Sequence, residues 1–189
     1  MKYSQITEWC HEIIRTQVPT GGKYIDATMG KGRDTEFLCR MAGEEGHVLA
    51  FDIQPQAIEY TRKRLEKEKL DGRAELILDG HEHMERYAEK ESADLICFNF
   101  GYLPGGDHKI ATRPETSLKA VDSALKLLKP GAMMCLCIYS GGDTGYEEKD
   151  RLLAYLKLLP AKEYTVIVNQ YYNRVHQPPI PVFIWKAEL

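Results

Sequence analysis

Five times in succession an apolar run of strand length is followed by a segment with helical spacing, and this alternation restricts the fold more than any other feature. The runs are 23–26, 47–52, 74–79, 93–100 and 132–139. Helical patterns cover 33–42, 54–69, a short stretch opened by Gly80-His81-Glu82-His83-Met84, then 112–128 and 144–159. Strands joined by crossover helices run parallel, so the pattern predicts a doubly wound α/β sheet with helices on both faces. Thr112-Arg113-Pro114-Glu115 has the form of a capping box, and Lys129-Pro130-Gly131 stops the helix that it opens. The final runs, 163–172 and 180–187, are separated by Asn173-Arg174-Val175-His176-Gln177-Pro178-Pro179. That connection is too short for a crossover helix, so the two are expected to form a terminal antiparallel hairpin at one edge. Residues 4–17, with Ile6, Trp9, Cys10, Ile13 and Ile14 at helical spacing, add a leading helix. It either packs on the sheet or covers the site with Trp9 or His11 turned inward.

The 189 residues are expected to form one domain, 1–189, large enough for a substantial core. A formal net charge of -3 excludes a globally basic surface but leaves room for a local basic mouth. The five cysteines contain no CxxC pair and fall in helix or strand patterns, which fits buried, reduced thiols and a cytoplasmic setting. No apolar run approaches the roughly 20 residues of a membrane span, and Met1 to Gln5 does not begin a secretory leader, so no membrane partner is expected.

Ligands of doubly wound sheets bind beyond the carboxyl ends of the strands. At the first such end stands Asp26-Ala27-Thr28-Met29-Gly30-Lys31-Gly32-Arg33-Asp34-Thr35, a glycine-bearing turn running into a helix. Its glycines admit close backbone approach and the helix start offers free N–H groups. Asp52, twenty residues after Gly32, ends the next strand where an acid can hold ribose hydroxyls. Thr35 occupies the place of the third glycine of a dinucleotide fingerprint, and Gly-Lys-Ser/Thr is absent, so neither pyrophosphate device is complete. A dinucleotide oxidoreductase or a silent Rossmann-like binding module remain the rival readings. His81 and His83 are too closely spaced to point together, and no metal is expected. A thiolate attack on a pyrimidine ring would fall to Cys97, which lies inside a strand.

Asp26-x-x-x-Gly30-x-Gly32, Asp52, Asp79, Asn99 and Leu128-Lys129-Pro130-Gly131, with the terminal hairpin, resemble a Rossmann-like class I S-adenosylmethionine-dependent methyltransferase over nearly the whole chain. Thr28 departs from that pattern by replacing its first glycine, which predicts a tighter turn or one bonded by the hydroxyl. Phe51-Asp52-Ile53-Gln54, Asn99-Phe100-Gly101-Tyr102-Leu103-Pro104-Gly105-Gly106-Asp107 and Pro178-Pro179 narrow the resemblance to a small bacterial family labelled rRNA methylases. Members have been assigned to methylating the aminomethyl group of the tRNA wobble uridine.

The resemblance implies a mostly parallel seven-stranded sheet and S-adenosylmethionine as cofactor. It places the cofactor against Asp26, Thr28, Gly30, Gly32, Asp34 and Thr35 at the methionine end. Asp52, Ile53 and Gln54 would hold the ribose and adenosine, Asp79, Gly80 and His81 the adenine border, and Asn99 the sulfonium. Asn99 and Tyr102 are candidates for positioning the acceptor amine and Asp107 for taking its proton, unless Asp107 only caps a turn. RNA, in particular a tRNA anticodon loop, is the implied partner. Lys109, Arg113, Arg174 and His176, with Tyr171 and Tyr172, would supply charge and rings on the same rim. An uncapped sheet edge or the hairpin would serve a homodimer.

Overall fold

The computed structural model describes residues 5–101, 112–140, 145–174 and 178–188. Its elements are α1 (Ile6–Gln17), β1 (Lys23–Asp26), α2 (Arg33–Ala42), β2 (His47–Asp52), α3 (Pro55–Glu68), β3 (Ala74–Leu78) and β4 (Ala93–Phe100). They continue with α4 (Pro114–Leu127), β5 (Leu128–Ile138), α5 (Gly145–Lys157), β6 (Tyr164–Val168) and β7 (Ile180–Lys186). A 3₁₀ segment, His81–Arg86, stands where the crossover between β3 and β4 begins.

The strands form one seven-stranded sheet in the order β3-β2-β1-β4-β5-β7-β6. β3, β2, β1, β4 and β5 pair in parallel, and β7 runs antiparallel to both β5 and β6. The final hairpin thus folds back so that its second strand is the inner one, leaving β6 parallel to β5 at the edge.

Side-chain alternation explains why the central runs are apolar throughout. On β5, Met133, Cys135 and Cys137 meet α1 and α2 with Leu95 and Cys97 of β4 and Phe183 of β7. Met134, Leu136 and Ile138 meet α4 and α5 on the other face, with Ile96, Phe98 and Phe100 of β4 and Val182 and Ile184 of β7. Helix α1 is seated on the first face by Ile6, Cys10 and Ile14, one buried residue per turn.

Two local expectations fail. Thr112 does not cap α4: its hydroxyl donates to Glu148 Oε2 at 2.8 Å, and the preceding position of the helix is Arg113 with no side-chain cap. A buried carboxylate is the stronger competitor for that hydroxyl, and Ser117 donates to its other oxygen at 2.6 Å. β5 begins at Leu128, which already pairs with Ala93, before a register shift leads to the pair Leu95 and Met133. Pro130 lacks an N–H and Gly131 has φ 78°, so the interval bulges out of the ladder without ending the strand.

Candidate active site

The parallel strands bring Asp26, Asp52, Leu78, Phe100 and Ile138 to one rim of the sheet. The turn after β1 is built around Asp26, which is fully buried. Its Oδ2 accepts the Thr35 hydroxyl at 2.6 Å and its Oδ1 accepts the Thr28 N–H at 3.2 Å. Burial, with the charges of Asp34 and Asp52 nearby, pushes its carboxyl up to about 7. Asp26 and Thr35 therefore shape the turn from beneath.

Gly30 and Gly32 have φ 51° and 73°, a left-handed region that favours glycine. A Cβ on Gly32 would lie 2.8 Å from Thr61 Cγ2 and Oγ1, so this glycine admits the close approach of α3. Gly30 donates its N–H to Asp52 Oδ2 at 3.0 Å, and Asp52 Oδ1 accepts the Gln54 N–H at 2.9 Å. Burial raises this carboxyl as well. Beside it Ile53 is 58% exposed, an open apolar face on which a flat ring can rest. Lys31 is exposed, and the mixed charges of α3 are tied to the turn from outside by Arg64, which bonds Lys31 O and Glu36.

Thr28 has a definite task. Its hydroxyl oxygen accepts the backbone N–H of Asn99 at 2.6 Å, which joins the turn to the end of β4. Asn99 has the parity of Leu95 and Cys97, so its side chain emerges on the face covered by α1 and α2. There its Nδ2 donates to Asp34 Oδ2 at 2.6 Å, while Asp34 Oδ1 accepts His11 Nε2 at 2.8 Å. Carboxylate oxygens accept, so the amide end facing Asp34 is the NH₂ end. The other end is then a carbonyl, and Asn99 Oδ1 is buried with no partner among the described residues. Unpaired buried acceptors are uncommon and cost about 1–3 kcal/mol each. This one stands near the end of β4, on the rim where the strands' carboxyl ends gather, and calls for a donor.

Asp79, after β3, accepts His83 Nδ1 at 2.8 Å, the Gly80 N–H at 2.7 Å and the Tyr87 hydroxyl at 3.0 Å. The His83 bond holds its carboxyl below the usual range. His81 is buried against Phe98 and Phe100 and bonds the backbone of Ala27; burial lowers it, which keeps its ring neutral. The two rings thus serve separate partners. Cys97 is wholly buried, and burial pushes its thiol well above the ordinary value, which removes it as a nucleophile. All five cysteines are buried and free. Arg113 is exposed at the start of α4, and Arg174 lies over the Tyr171 ring at 4.3 Å. Tyr102, Asp107, Lys109 and His176 lie outside the described residues.

These features fit a cationic methyl donor. The carboxylates of Asp34, at the start of α2, and of Asp52, at the end of β2, flank the turn, and Asn99 carries its orphaned carbonyl at the end of β4. Residues 48–185 match the family described as "Putative rRNA methylase". The chain belongs to this family. A putative rRNA methylase from Clostridium thermocellum superposes with TM-score 0.94 at 41% identity, over 98% of this chain and 100% of that one. A putative methyltransferase from Streptococcus mutans, solved in complex with SAH, gives TM-score 0.86 at 34% identity, over 97% and 98%. A curated relative from Arabidopsis thaliana, the chloroplastic tRNA (mnm(5)s(2)U34)-methyltransferase, is 35% identical over 96% of this chain and 69% of its own length. The protein is an S-adenosylmethionine-dependent methyltransferase of the class I, Rossmann-like fold.

The strand order and the Asp34–Asn99 pairing were not available from residue spacing. The apolar runs at 163–172 and 180–187 do not say which strand lies inside, and Asp34 and Asn99 stand 65 positions apart. Asn99 is marked by the resemblance to class I methyltransferases, as the polar residue next to the end of β4.

Proposed function

We propose that the protein transfers a methyl group to the 5-aminomethyl group of the tRNA wobble uridine, working in the cytoplasm as one domain that holds both cofactor and anticodon loop. The observation that carries this reading is the fixed polarity of Asn99: its amide presents a buried carbonyl that lacks a donor. An amine acceptor brings N–H groups, and one of them bonded to this carbonyl leaves the nitrogen lone pair free to aim elsewhere. The name of the Arabidopsis relative and the family description support RNA as the substrate class.

S-adenosylmethionine supplies a methyl group activated by its sulfonium. The amine nitrogen forms a bond to that carbon as the carbon–sulfur bond breaks; S-adenosylhomocysteine leaves, and the methylated ammonium gives up its proton. The backbone of the turn from Thr28 to Gly32 borders the methionine end, Asp52 and Gln54 hold the ribose side, and Ile53 with Asp79 to His81 the base side. Asn99 orients the amine, with Tyr102 as a second positioning group and Asp107 as proton acceptor, both from the segment after β4. Cationic Arg113 and Arg174, with Lys109 and His176, contact phosphates. Tyr172, whose ring is fully open to solvent, offers a stacking surface to an unstacked base. A second copy would pair through the open β6 edge.

Incubation with tritiated S-adenosylmethionine and bulk tRNA lacking this methyl group, followed by nucleoside mass spectrometry, tests the reading. Methylaminomethyl uridine is the expected product. Label confined to rRNA or to free small amines would overturn it.

A further inference from the structure

The segment that matches the family begins at residue 48, yet the site is completed by a side chain from α1, far upstream. His11 lies parallel on Phe37, with ring centroids 3.8 Å apart and planes 8° from each other, and its Nε2 is 2.8 Å from Asp34 Oδ1. Asp34 stands in the first turn of α2, its second oxygen on Asn99. The stack fixes where the His11 ring is; the hydrogen bond fixes how the carboxylate is turned.

We propose that His11 is a positioning residue for methyl transfer, acting through Asp34 to hold the Asn99 amide with its carbonyl toward the acceptor. The inference rests on the role given to Asn99 above. Asn99 Oδ1 has no partner among the described residues, so among these the Asp34 bond alone decides the amide's orientation. A carboxylate held by two donors cannot swing without losing one of them. Released by His11, it can turn toward solvent, and the Asn99 amide is then free to reverse. A reversed amide meets the incoming amine with its own N–H groups, donor against donor. The turn itself keeps its other bonds, those of Asp26, Thr28 and Asp52, so cofactor binding is expected to survive.

The test uses His11→Phe, which keeps an aromatic ring on Phe37 but has no N–H, and His11→Gln, whose amide can restore the donor. In nitrogen-15 spectra of the labelled protein, the Asn99 side-chain NH₂ resonances should move in His11→Phe and return in His11→Gln. With bulk tRNA lacking the methyl group, His11→Phe should lower kcat about tenfold, with the KM for S-adenosylmethionine and the melting temperature nearly unchanged, and His11→Gln should recover most of the rate. In an Asn99→Ala background, His11→Phe should cost nothing more, because the cycle closes on one shared path. Unmoved NH₂ resonances, a wild-type kcat for His11→Phe, or a penalty that multiplies with Asn99→Ala would each overturn the role of His11. A wild-type rate for Asn99→Ala would instead remove the role assigned to Asn99 itself.

Discussion

Asp26 makes the pH dependence of stability a direct probe of the turn. Its carboxyl is fully buried and raised from 3.8 to about 7, chiefly by burial and then by Asp34. The native state therefore holds a proton that the unfolded chain releases once the pH passes about 4. Stability contributed by this group is complete below that point, falls as the pH rises toward 7, and is level above it. A shift of about three units corresponds to roughly 4 kcal/mol, lost at about 1.4 kcal/mol per pH unit. Asp26→Asn cannot ionise, yet its oxygen can accept the Thr28 N–H and its NH₂ can donate to the Thr35 hydroxyl. The variant should match the native protein near pH 4 and exceed it by about 4 kcal/mol near pH 8. Urea unfolding followed by the fluorescence of Trp9 and Trp185 at intervals across this range measures the difference. A gap between the two proteins that stays constant with pH would refute the buried, protonated Asp26.

Gly32→Ala combines a left-handed φ of 73° with a Cβ 2.8 Å from Thr61, and should cost at least about 2 kcal/mol, or about 4–8 °C in Tm by calorimetry. S-adenosylmethionine at a hundredfold excess over its Kd should stabilise the native protein by about 2.7 kcal/mol, and Asp52→Ala, which frees the Gly30 and Gln54 N–H groups, should abolish most of that gain in a thermal-shift assay. Tyr172→Ala removes a ring that buries nothing, so Tm should not change, while loss of one stacked base should weaken tRNA binding by about 1–3 kcal/mol in filter binding.

Much of this architecture is written locally. The bounds of α2, β2 and β4 follow from apolar spacing and from the turn residues beside them, and the structure has the same bounds. Expectations fail where a distant group outbids a local one, as when Glu148 draws the Thr112 hydroxyl away from the start of α4. The run at 163–172 is overlong in the sequence pattern because the aromatic pair Tyr171 and Tyr172 extends it, whereas the paired register ends at Val168 with one further bond, from Asn169 N–H to Pro181 O. At the site, the glycines and the acids at strand ends are legible because backbone conformation and topology demand them. The chain from His11 through Asp34 to Asn99 is not, since its members are 23 and 65 positions apart and meet only after α1, α2 and β4 share a face.

The placing of β7 between β5 and β6 has a consequence for biosynthesis. β5 is buried throughout from Ala132 to Ile138, yet one of its edges is closed only by residues 180–186. On the ribosome, nearly the whole chain must emerge before that edge finds its partner, and until then an apolar strand is open to pairing with other chains. Shortening the protein before Ile180 is thus expected to yield aggregates rather than a smaller folded enzyme, although every residue of the glycine turn would still be present.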